Sequence, residues 1–170
     1  MRRAIPLFFA AFAVMGQGTY DPHVIRMPPP SPTAAAPRSG LEVMGESGDA
    51  VAWRSKSGTF ELRASINGQT LPMIFDTGAS AVSLRAEDAE QAGIDVSALH
   101  YSLITHTANG TAAVAPVIIQ TLQVGSIIEN NVPAIVARPH ALSSNLLGQT
   151  FLSRLSNYTV EQNRVVFHQR

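Results

Sequence analysis

The sequence predicts an all-β domain that carries one or two short helices, and three observations support this. Between residues 57 and 170, short runs of β-branched and apolar residues alternate with turn signals, a pattern typical of all-β domains. Two Asn-Gly pairs, Asn67-Gly68 and Asn109-Gly110, mark hairpins between such runs. Only two short stretches favour a helix. The length of this region, roughly 110 residues, is sufficient for one hydrophobic core.

The first predicted hairpin leads to an acidic residue. Apolar and polar residues alternate over residues 59–66, a period of two that indicates a half-buried strand. Asn67-Gly68 then turns the chain. A second apolar strand, residues 71–75, follows at once and delivers the chain to Asp76.

The rest of the chain continues as short strands. A predicted helix over residues 85–92 ends at Gly93, a residue typical of helix C-termini. The remaining predicted strands are residues 82–84, 101–107, 111–119, 122–128, 131–137, 158–161 and 164–168, with a last helix over 149–155.

The composition excludes several classes of function. The chain has 170 residues, a formal net charge of zero and no cysteine. This length fits one domain plus a tail. A zero net charge is not typical of proteins that bind nucleic acids or anionic surfaces. Without cysteine there is no disulfide, thiol nucleophile or thiolate metal site.

The first 52 residues differ from the rest. Residues 1–16 join a basic start to an apolar segment of signal-peptide length, too short for a comfortable membrane span. We expect export with cleavage or a retained short anchor, a misassigned start being the other alternative. Residues 17–52 are rich in Pro, Ala and Ser and predict a disordered linker, which leaves residues 53–170 as the folded domain.

The histidines and the acidic residues of the first predicted helix are interpreted as non-catalytic. The five histidines share no metal-ligand spacing, so we expect them to be exposed or hydrogen-bonded. For His106, beside the second hairpin, substrate contact is an alternative. Glu87, Asp88 and Glu90 indicate a solvated helix face near a helix N-terminus rather than a catalytic pair.

The residues that directly follow the second predicted strand are the candidate catalytic residues. Asp76-Thr77-Gly78 places one carboxylate after an apolar strand, followed by a hydroxyl residue and a glycine. An aspartic peptidase presents its catalytic acid in this way, and its reaction needs two carboxylates that share one proton. The chain has one such motif, so the second carboxylate would come from a second copy of the chain. The alternative is an Asp that only opens a turn by accepting from its own backbone.

Three motifs, taken in order, resemble those of the retropepsin-type aspartic peptidases. They are Phe75-Asp76-Thr77-Gly78-Ala79-Ser80, Thr107-Ala108-Asn109-Gly110 and Leu146-Leu147-Gly148. With its leader and Pro-rich spacer, the chain is similar to the exported or membrane-anchored bacterial members of that clan. The resemblance covers residues 58–170.

The resemblance implies a retropepsin-like closed β-barrel that works as a homodimer, with no metal or cofactor. Asp76 would face its symmetry mate and hold the lytic water, and Thr77 would bond across the dimer axis. Gly78 would allow a backbone that a Cβ hinders. Leu146 and Leu147 would pack under this loop, and the glycine that follows them would permit close passage.

The resemblance also implies the partners and the location. Ala79 and Ser80 would line the substrate site, and Ala108, Asn109 and Gly110 would form a flap that holds a peptide as an added strand. The substrate would be a protein or peptide with an extended, largely apolar segment. The protein would be periplasmic or membrane-anchored facing the periplasm, with a possible N-terminal membrane tether and no nucleic-acid partner.

Comparison with the patterns of pepsin-like and retroviral enzymes gives three further expectations. Ala79 follows Gly78, where pepsin-like chains often place a hydroxyl residue that favours carboxylate ionisation, so we expect a mildly acidic pH optimum. Gln149 stands where retroviral enzymes often carry Arg, and Arg154 is the expected substitute for dimer ion pairs. Residues 164–170 are expected to supply the interfacial strand.

Two other functions remain open from the sequence. The same dimeric fold could be a catalytically inactive peptide-binding module, although the intact Asp76-Thr77-Gly78 argues against it. More distantly, an unrelated small β-barrel could carry the Asp turn by chance, and it would be a monomer.

Overall fold

The domain is built almost entirely of β-strands. A computed structural model of the chain describes residues 49–107 and 110–170, without the side chain of Thr107. In chain order the strands are β1 (Asp49–Arg54), β2 (Phe60–Ile66), β3 (Gln69–Phe75), β4 (Val82–Leu84), β5 (Leu103–Thr107), β6 (Gly110–Val124), β7 (Ile127–Ala137), β8 (Asn145–Leu147), β9 (Asn157–Val160) and β10 (Arg164–His168). The helical elements are α1 (Ala86–Gln91), α2 (Gln149–Leu152) and a 3₁₀ turn (Val96–Ala98). The all-β prediction with short helices is confirmed.

Six of the strands close into a barrel. Their order is β6, β7, β4, β8, β3 and β2, and the ring closes because β2 also pairs with β6 at Ser65–Gln123 and Ile66–Leu122. Strand β5 extends the sheet from β6, while β1, β10 and β9 extend it from β2. The largest fully buried side chains are Phe151, Phe167, Leu62, Ile66, Leu71 and Met73. The predicted closed barrel is therefore confirmed.

The hairpin of β2 and β3 folds as its sequence predicts. The apolar residues of β2 are buried, and the polar residues between them are partly or fully exposed. Asn67 (φ 50°) and Gly68 (φ 88°) both adopt left-handed backbone, which matches the twist of a two-residue hairpin. This turn sets the register of β3, and β3 in turn delivers Asp76 to the end of the barrel.

The structure corrects the boundary between two predicted strands. The sequence predicted strands at residues 122–128 and 131–137, but β6 continues to Val124 and the chain turns at Gly125 (φ 60°). Asn131 also has left-handed backbone (φ 52°), yet it lies inside β7 and the pairing with β6 keeps one register on both sides of it. The predicted break at residues 129–130 therefore lies inside β7, and Gly125, expected within a strand, lies in the turn.

The N-terminal end of the folded domain lies a few residues earlier than expected. The linker was expected to extend to residue 52, but β1 begins at Asp49 and pairs with β10 along its length. Residues 1–48, which include the expected leader, lie outside the described residues. Within the described part of the chain, no helix combines the length and the apolar character that a membrane crossing requires.

The expected interfacial strand is paired within the protomer. Strand β10, part of the residues 164–170 that were expected to supply the interfacial strand, pairs with β1 on one side and, in the predicted hairpin, with β9 on the other. Strand β9 therefore forms this edge of the sheet. The reason is the hairpin between β9 and β10, which covers one side of β10 locally.

The expected dimer cation is also used within the protomer. Helix α2 ends at Leu152, so Arg154 lies beyond it rather than in it. Its guanidinium donates to the carbonyl oxygens of Asn130 at 2.6 Å and Asn131 at 2.8 Å, and it lies 3.5 Å from Glu129. Arg154 thus binds the backbone of β7 at its left-handed residue.

Candidate active site

The loop between β3 and β4, residues 76–80, is here called the Asp loop. It is a compact turn in which the Ala79 N–H donates to the Asp76 carbonyl at 3.3 Å. The Gly78 N–H donates to Asp76 Oδ1 at 2.8 Å. Asp76 is partly buried, whereas Thr77 and Gly78 are exposed. The carboxylate is therefore oriented by its own loop.

Gly78 is needed for space rather than for backbone conformation. It has no left-handed φ, contrary to the expectation that a Cβ would hinder its backbone. A Cβ at this position would instead lie 3.2 Å from Asp76 Oδ1. Glycine thus lets its own N–H approach the carboxylate without a side chain beside it.

Strand β8 and the start of α2 support the Asp loop from within the protomer. The Asp76 N–H donates to the Leu147 carbonyl at 3.2 Å. Gly148 is close-packed, because a Cβ there would lie 2.7 Å from the Ala79 carbonyl oxygen and closer still to that of Ala81. The expected close passage at this glycine is therefore present.

Gln149 holds the loop with both its backbone and its side chain. Its N–H donates to the Ala79 carbonyl at 2.9 Å, and its Nε2 donates to the Thr77 carbonyl at 2.9 Å. Sequence reasoning noted Gln149 only as a departure from the family pattern and missed this contact. The usable signal was its position directly after the Leu-Leu-Gly motif, which packs against the loop.

Aromatic rings hold the end of strand β3, directly before Asp76. Phe75 contacts three rings edge-on: Phe60 at 6.2 Å, Tyr158 at 5.3 Å and Phe167 at 5.6 Å between centroids. These rings come from β2, β9 and β10, so Phe75 joins the barrel to the outer strands. The residue before Asp76 is thereby held by three separate elements.

The Thr77 hydroxyl makes no hydrogen bond to any described residue of the same protomer. The Thr77 side chain is exposed, and only its backbone carbonyl is engaged, by Gln149. The expected partner of this hydroxyl, a second copy of the loop, would lie outside a single chain.

The predicted flap is a hairpin of β5 and β6. Thr107 pairs with Gly110, whose φ of 117° suits a tight connection. Ala108 and Asn109, two of the expected substrate contacts, lie outside the described residues. Behind the tip, Leu103 and Ile104 are exposed apolar residues of β5. His106 is also exposed.

The expected solvated acidic face of α1 is wrong for Asp88. This carboxylate is buried and accepts from Asn145 Nδ2 at 2.9 Å, with the Arg85 guanidinium 3.5 Å away. Asn145 also donates to the Pro72 carbonyl at 2.9 Å and accepts from the Arg85 N–H at 2.8 Å. The cluster ties β3, β8 and α1 together beside a cavity of about 190 Å³.

Glu61 adjoins the same cavity, opposite Ile74 in the hairpin of β2 and β3. Burial raises the pKa of Glu61, but hydrogen bonds from Ser55, Ser57 and Thr59 outweigh it and hold the pKa below its ordinary value of 4.5. The hydroxyls of Ser57 and Thr59 both donate at 3.0 Å. Glu61 therefore stays ionised under mildly acidic conditions.

The described histidines lie outside the Asp loop. His140 lies 3.3 Å from Glu87, and His168 lies 3.1 Å from Asp49. Across residues 49–107 and 110–170, no group of three or more His, Cys, Asp or Glu side chains could hold a metal ion.

Proteins similar to this chain are found among known protein families, solved structures and curated proteins. A family model described as "gag-polyprotein putative aspartyl protease" matches residues 62–154. The crystal structure of a retropepsin-like aspartic protease from Rickettsia conorii superposes with a TM-score of 0.64 at 29% identity, covering 71% of this chain and 99% of that one.

Two curated relatives are uncharacterized proteins. One, from the region 5′ of cobV in a Sinorhizobium species, is 42% identical over 99 residues, which are 58% of this chain and 42% of the relative. The other, from Rickettsia prowazekii, is 30% identical over 123 residues, 72% of this chain and 52% of the relative. The chain thus spans about half the length of the curated relatives it matches. Since the family model covers more than half of the chain, the protein belongs to the gag-polyprotein aspartyl protease family and has a retropepsin-like fold.

Proposed function

We propose that this protein is a homodimeric aspartic endopeptidase in which each subunit contributes Asp76. The observation that carries this proposal is the Asp loop, which is complete as one half of a two-carboxylate site. Its carboxylate is oriented by the Gly78 N–H, while the neighbouring Thr77 is exposed with no hydroxyl partner among the described residues. A second copy would supply both the second carboxylate and a partner for the hydroxyl.

The two carboxyls would share one proton and activate a water. The ionised carboxyl takes a proton as the water oxygen attacks the peptide carbonyl carbon, and the protonated carboxyl gives its proton to the carbonyl oxygen. The resulting gem-diol then collapses. The C–N bond breaks as the first carboxyl protonates the nitrogen and the second takes back a hydroxyl proton, which restores the starting state. The Gly78 N–H would hold Asp76 Oδ1 in place throughout.

The substrate would be an extended and largely apolar peptide. Ile74 and Leu146 are partly buried and paired with each other on β3 and β8, each two residues before Asp76 and Gly148 respectively. Leu103 and Ile104 expose further apolar surface on the flap hairpin. A peptide bound as an added strand would place alternate side chains against such surfaces.

The edge strand β9 is the proposed site of dimer pairing. Its sequence, residues 157–160, has no charge and no proline, although edge strands of monomers are commonly protected by such residues. Tyr158 of this strand contacts Phe75, next to Asp76. Pairing at β9 would therefore bring two Asp loops close to a common axis, a role that residues 164–170 were expected to fill.

The test of activity uses the full 170-residue chain. We expect cleavage of a denatured protein substrate that is blocked by a pepstatin-type inhibitor and abolished in Asp76→Asn, with the dimer preserved. At low concentration the rate should rise with the square of enzyme concentration, because two chains build one site. A folded dimer that cleaves nothing at any pH would favour the inactive peptide-binding module instead. A stable monomer without activity would argue against the two-chain site.

The test of the dimer surface uses two matched apolar-to-lysine changes. Val160 on β9 is 52% exposed and Ile128 on β7 is 49% exposed, so the two substitutions replace apolar side chains of similar exposure. Val160→Lys should weaken the dimer by placing like charges across the paired edges, while Ile128→Lys should not. Sedimentation equilibrium measures both. Equal dissociation constants for the two variants would exclude pairing at β9.

Export and tethering remain part of the proposal. We propose that the apolar segment within residues 1–16 directs the chain to the periplasm and either is cleaved or stays as an anchor. Tethering would raise the local concentration of chains and so favour the dimer. Fractionation of cells that express the full chain, with the mass of the mature protein, tests this.

A further inference from the structure

The peptide group between Thr77 and Gly78 is hydrogen-bonded at both ends. Its N–H, on Gly78, donates to Asp76 Oδ1 at 2.8 Å, and its carbonyl, on Thr77, accepts from Gln149 Nε2 at 2.9 Å. A carbonyl has no hydrogen to donate, so the Gln149 side chain must present its NH₂ group here. A continuous chain of hydrogen bonds therefore runs from Gln149 through one peptide group to the carboxylate.

This peptide group has little else to fix its orientation. Thr77 and Gly78 are exposed, and glycine lacks the Cβ that restricts backbone rotation in other residues. A rotation of the peptide plane would turn the N–H away from Asp76 without disturbing the barrel. The absence of a Cβ at Gly78 gives the carboxylate room, and it also leaves the peptide free to rotate.

Gln149 is placed to prevent that rotation. Its own backbone is fixed, because its N–H donates to the Ala79 carbonyl at 2.9 Å and its carbonyl accepts from the Ser153 N–H at 3.0 Å. The preceding Gly148 is in close contact with the loop. The side-chain amide thus reaches the Thr77 carbonyl from a rigid support outside the loop.

We propose that Gln149 is a positioning residue that holds the Thr77–Gly78 peptide so that its N–H stays on the Asp76 carboxylate. Hydrogen bonds in series also polarise one another, so the Gln149 amide strengthens the donor that faces Asp76. The kinetic consequence of this role rests on the proposed peptidase function, whereas the structural consequence does not.

The first test measures hydrogen exchange at the Gly78 N–H by NMR in the full chain. Gln149→Met removes the donor but keeps the length and the helix propensity of the side chain. The matched control is Thr150→Val, which removes the hydroxyl that accepts the Val82 N–H at 2.9 Å. We expect hydrogen exchange at Gly78 to rise roughly 10-fold or more in Gln149→Met and to stay unchanged in Thr150→Val. An unchanged Gly78 amide in Gln149→Met overturns the proposal.

The second test measures kcat and KM per folded dimer. In Gln149→Met we expect kcat to fall roughly 10- to 100-fold through displacement of the carboxylate, with KM within about twofold because the side chain faces the loop. Gln149→Arg keeps an N–H donor and should recover most of kcat. An equal loss of kcat in Thr150→Val would show general destabilisation and contradict positioning. If the wild-type chain cleaves nothing, the peptidase proposal fails, and the Gly78 amide still decides the role of Gln149.

Discussion

Replacing Gly148 by alanine should damage the site through sterics alone. Its backbone, with φ −103° and ψ −168°, is extended and open to any residue, so no conformational strain is expected. The added Cβ would lie 2.7 Å from the Ala79 carbonyl oxygen, so the loop must move by at least about 0.7 Å to reach ordinary van der Waals separation. The atoms it meets belong to backbone and cannot rotate away.

The magnitude follows from overpacking and from the displacement of the loop. Forcing one extra methyl into a close-packed site costs roughly 1–3 kcal/mol of unfolding free energy. That corresponds to a fall in Tm of several degrees for a domain of this size. A shift approaching 1 Å beside the proposed catalytic carboxylate of Asp76 should also lower kcat/KM about 100-fold. Thermal unfolding and peptide cleavage at one fixed protein concentration measure the two effects.

The control is Gly93→Ala, which tests backbone strain without a clash. Gly93 has a φ of 78°, a Cβ added to it would meet nothing within 4 Å, and it lies at the end of α1, outside the Asp loop. Left-handed backbone costs an ordinary residue roughly 1–2 kcal/mol, so the two variants should lose similar stability. Only Gly148→Ala should lose activity per folded molecule. Wild-type Tm and activity in Gly148→Ala would refute the reasoning.

Three further predictions concern buried polarity and pH. Asn145→Leu should lower the free energy of unfolding, measured in urea, by about 3–5 kcal/mol, because it removes the Asn145 amide that binds the Arg85 N–H and the Asp88 carboxylate. A loss under about 1 kcal/mol would contradict this. The pKa of Glu61 is lower in the folded protein than its ordinary value of 4.5, so the ionised carboxylate stabilises the fold at pH values above this. The contribution is lost as the pH falls below about 4.5. Glu61→Gln should therefore flatten the fall of Tm with acidification, and an unchanged slope would count against it. With Ala79 after Gly78, the rate of cleavage should peak under mildly acidic conditions, and a maximum below about pH 3 would argue for another environment of the carboxyls.

Local patterns predicted the parts of the fold that depend on neighbouring residues. The alternation in β2, the Asn67-Gly68 turn and the stop of α1 at Gly93 all follow from short-range physics, and all are present. The Asp loop was likewise located by its apolar strand and its glycine. Each of these features is set within about ten residues, where periodicity and turn chemistry act directly.

Features that depend on distant contacts could not be predicted in this way. The burial of Asp88 follows from Asn145, 57 residues away, and helical position alone suggested a solvated face. Barrel closure between β2 and β6 is equally remote. The continuation of β7 through the left-handed Asn131 likewise involves a distant residue, because Arg154 donates to its carbonyl.

The support of the Asp loop makes physical sense if, as proposed, the site is completed by association of two chains. If the loop were ordered only in the dimer, part of the association free energy would be consumed in ordering it, and the dimer would be weaker. Here the same chain supplies the bonds, from Leu147 to the Asp76 N–H and from Gln149 to the carbonyls of Thr77 and Ala79. A monomer built in this way carries a preformed half-site. Activity would then depend on concentration through dimer formation alone, with a constant kcat for each dimer formed.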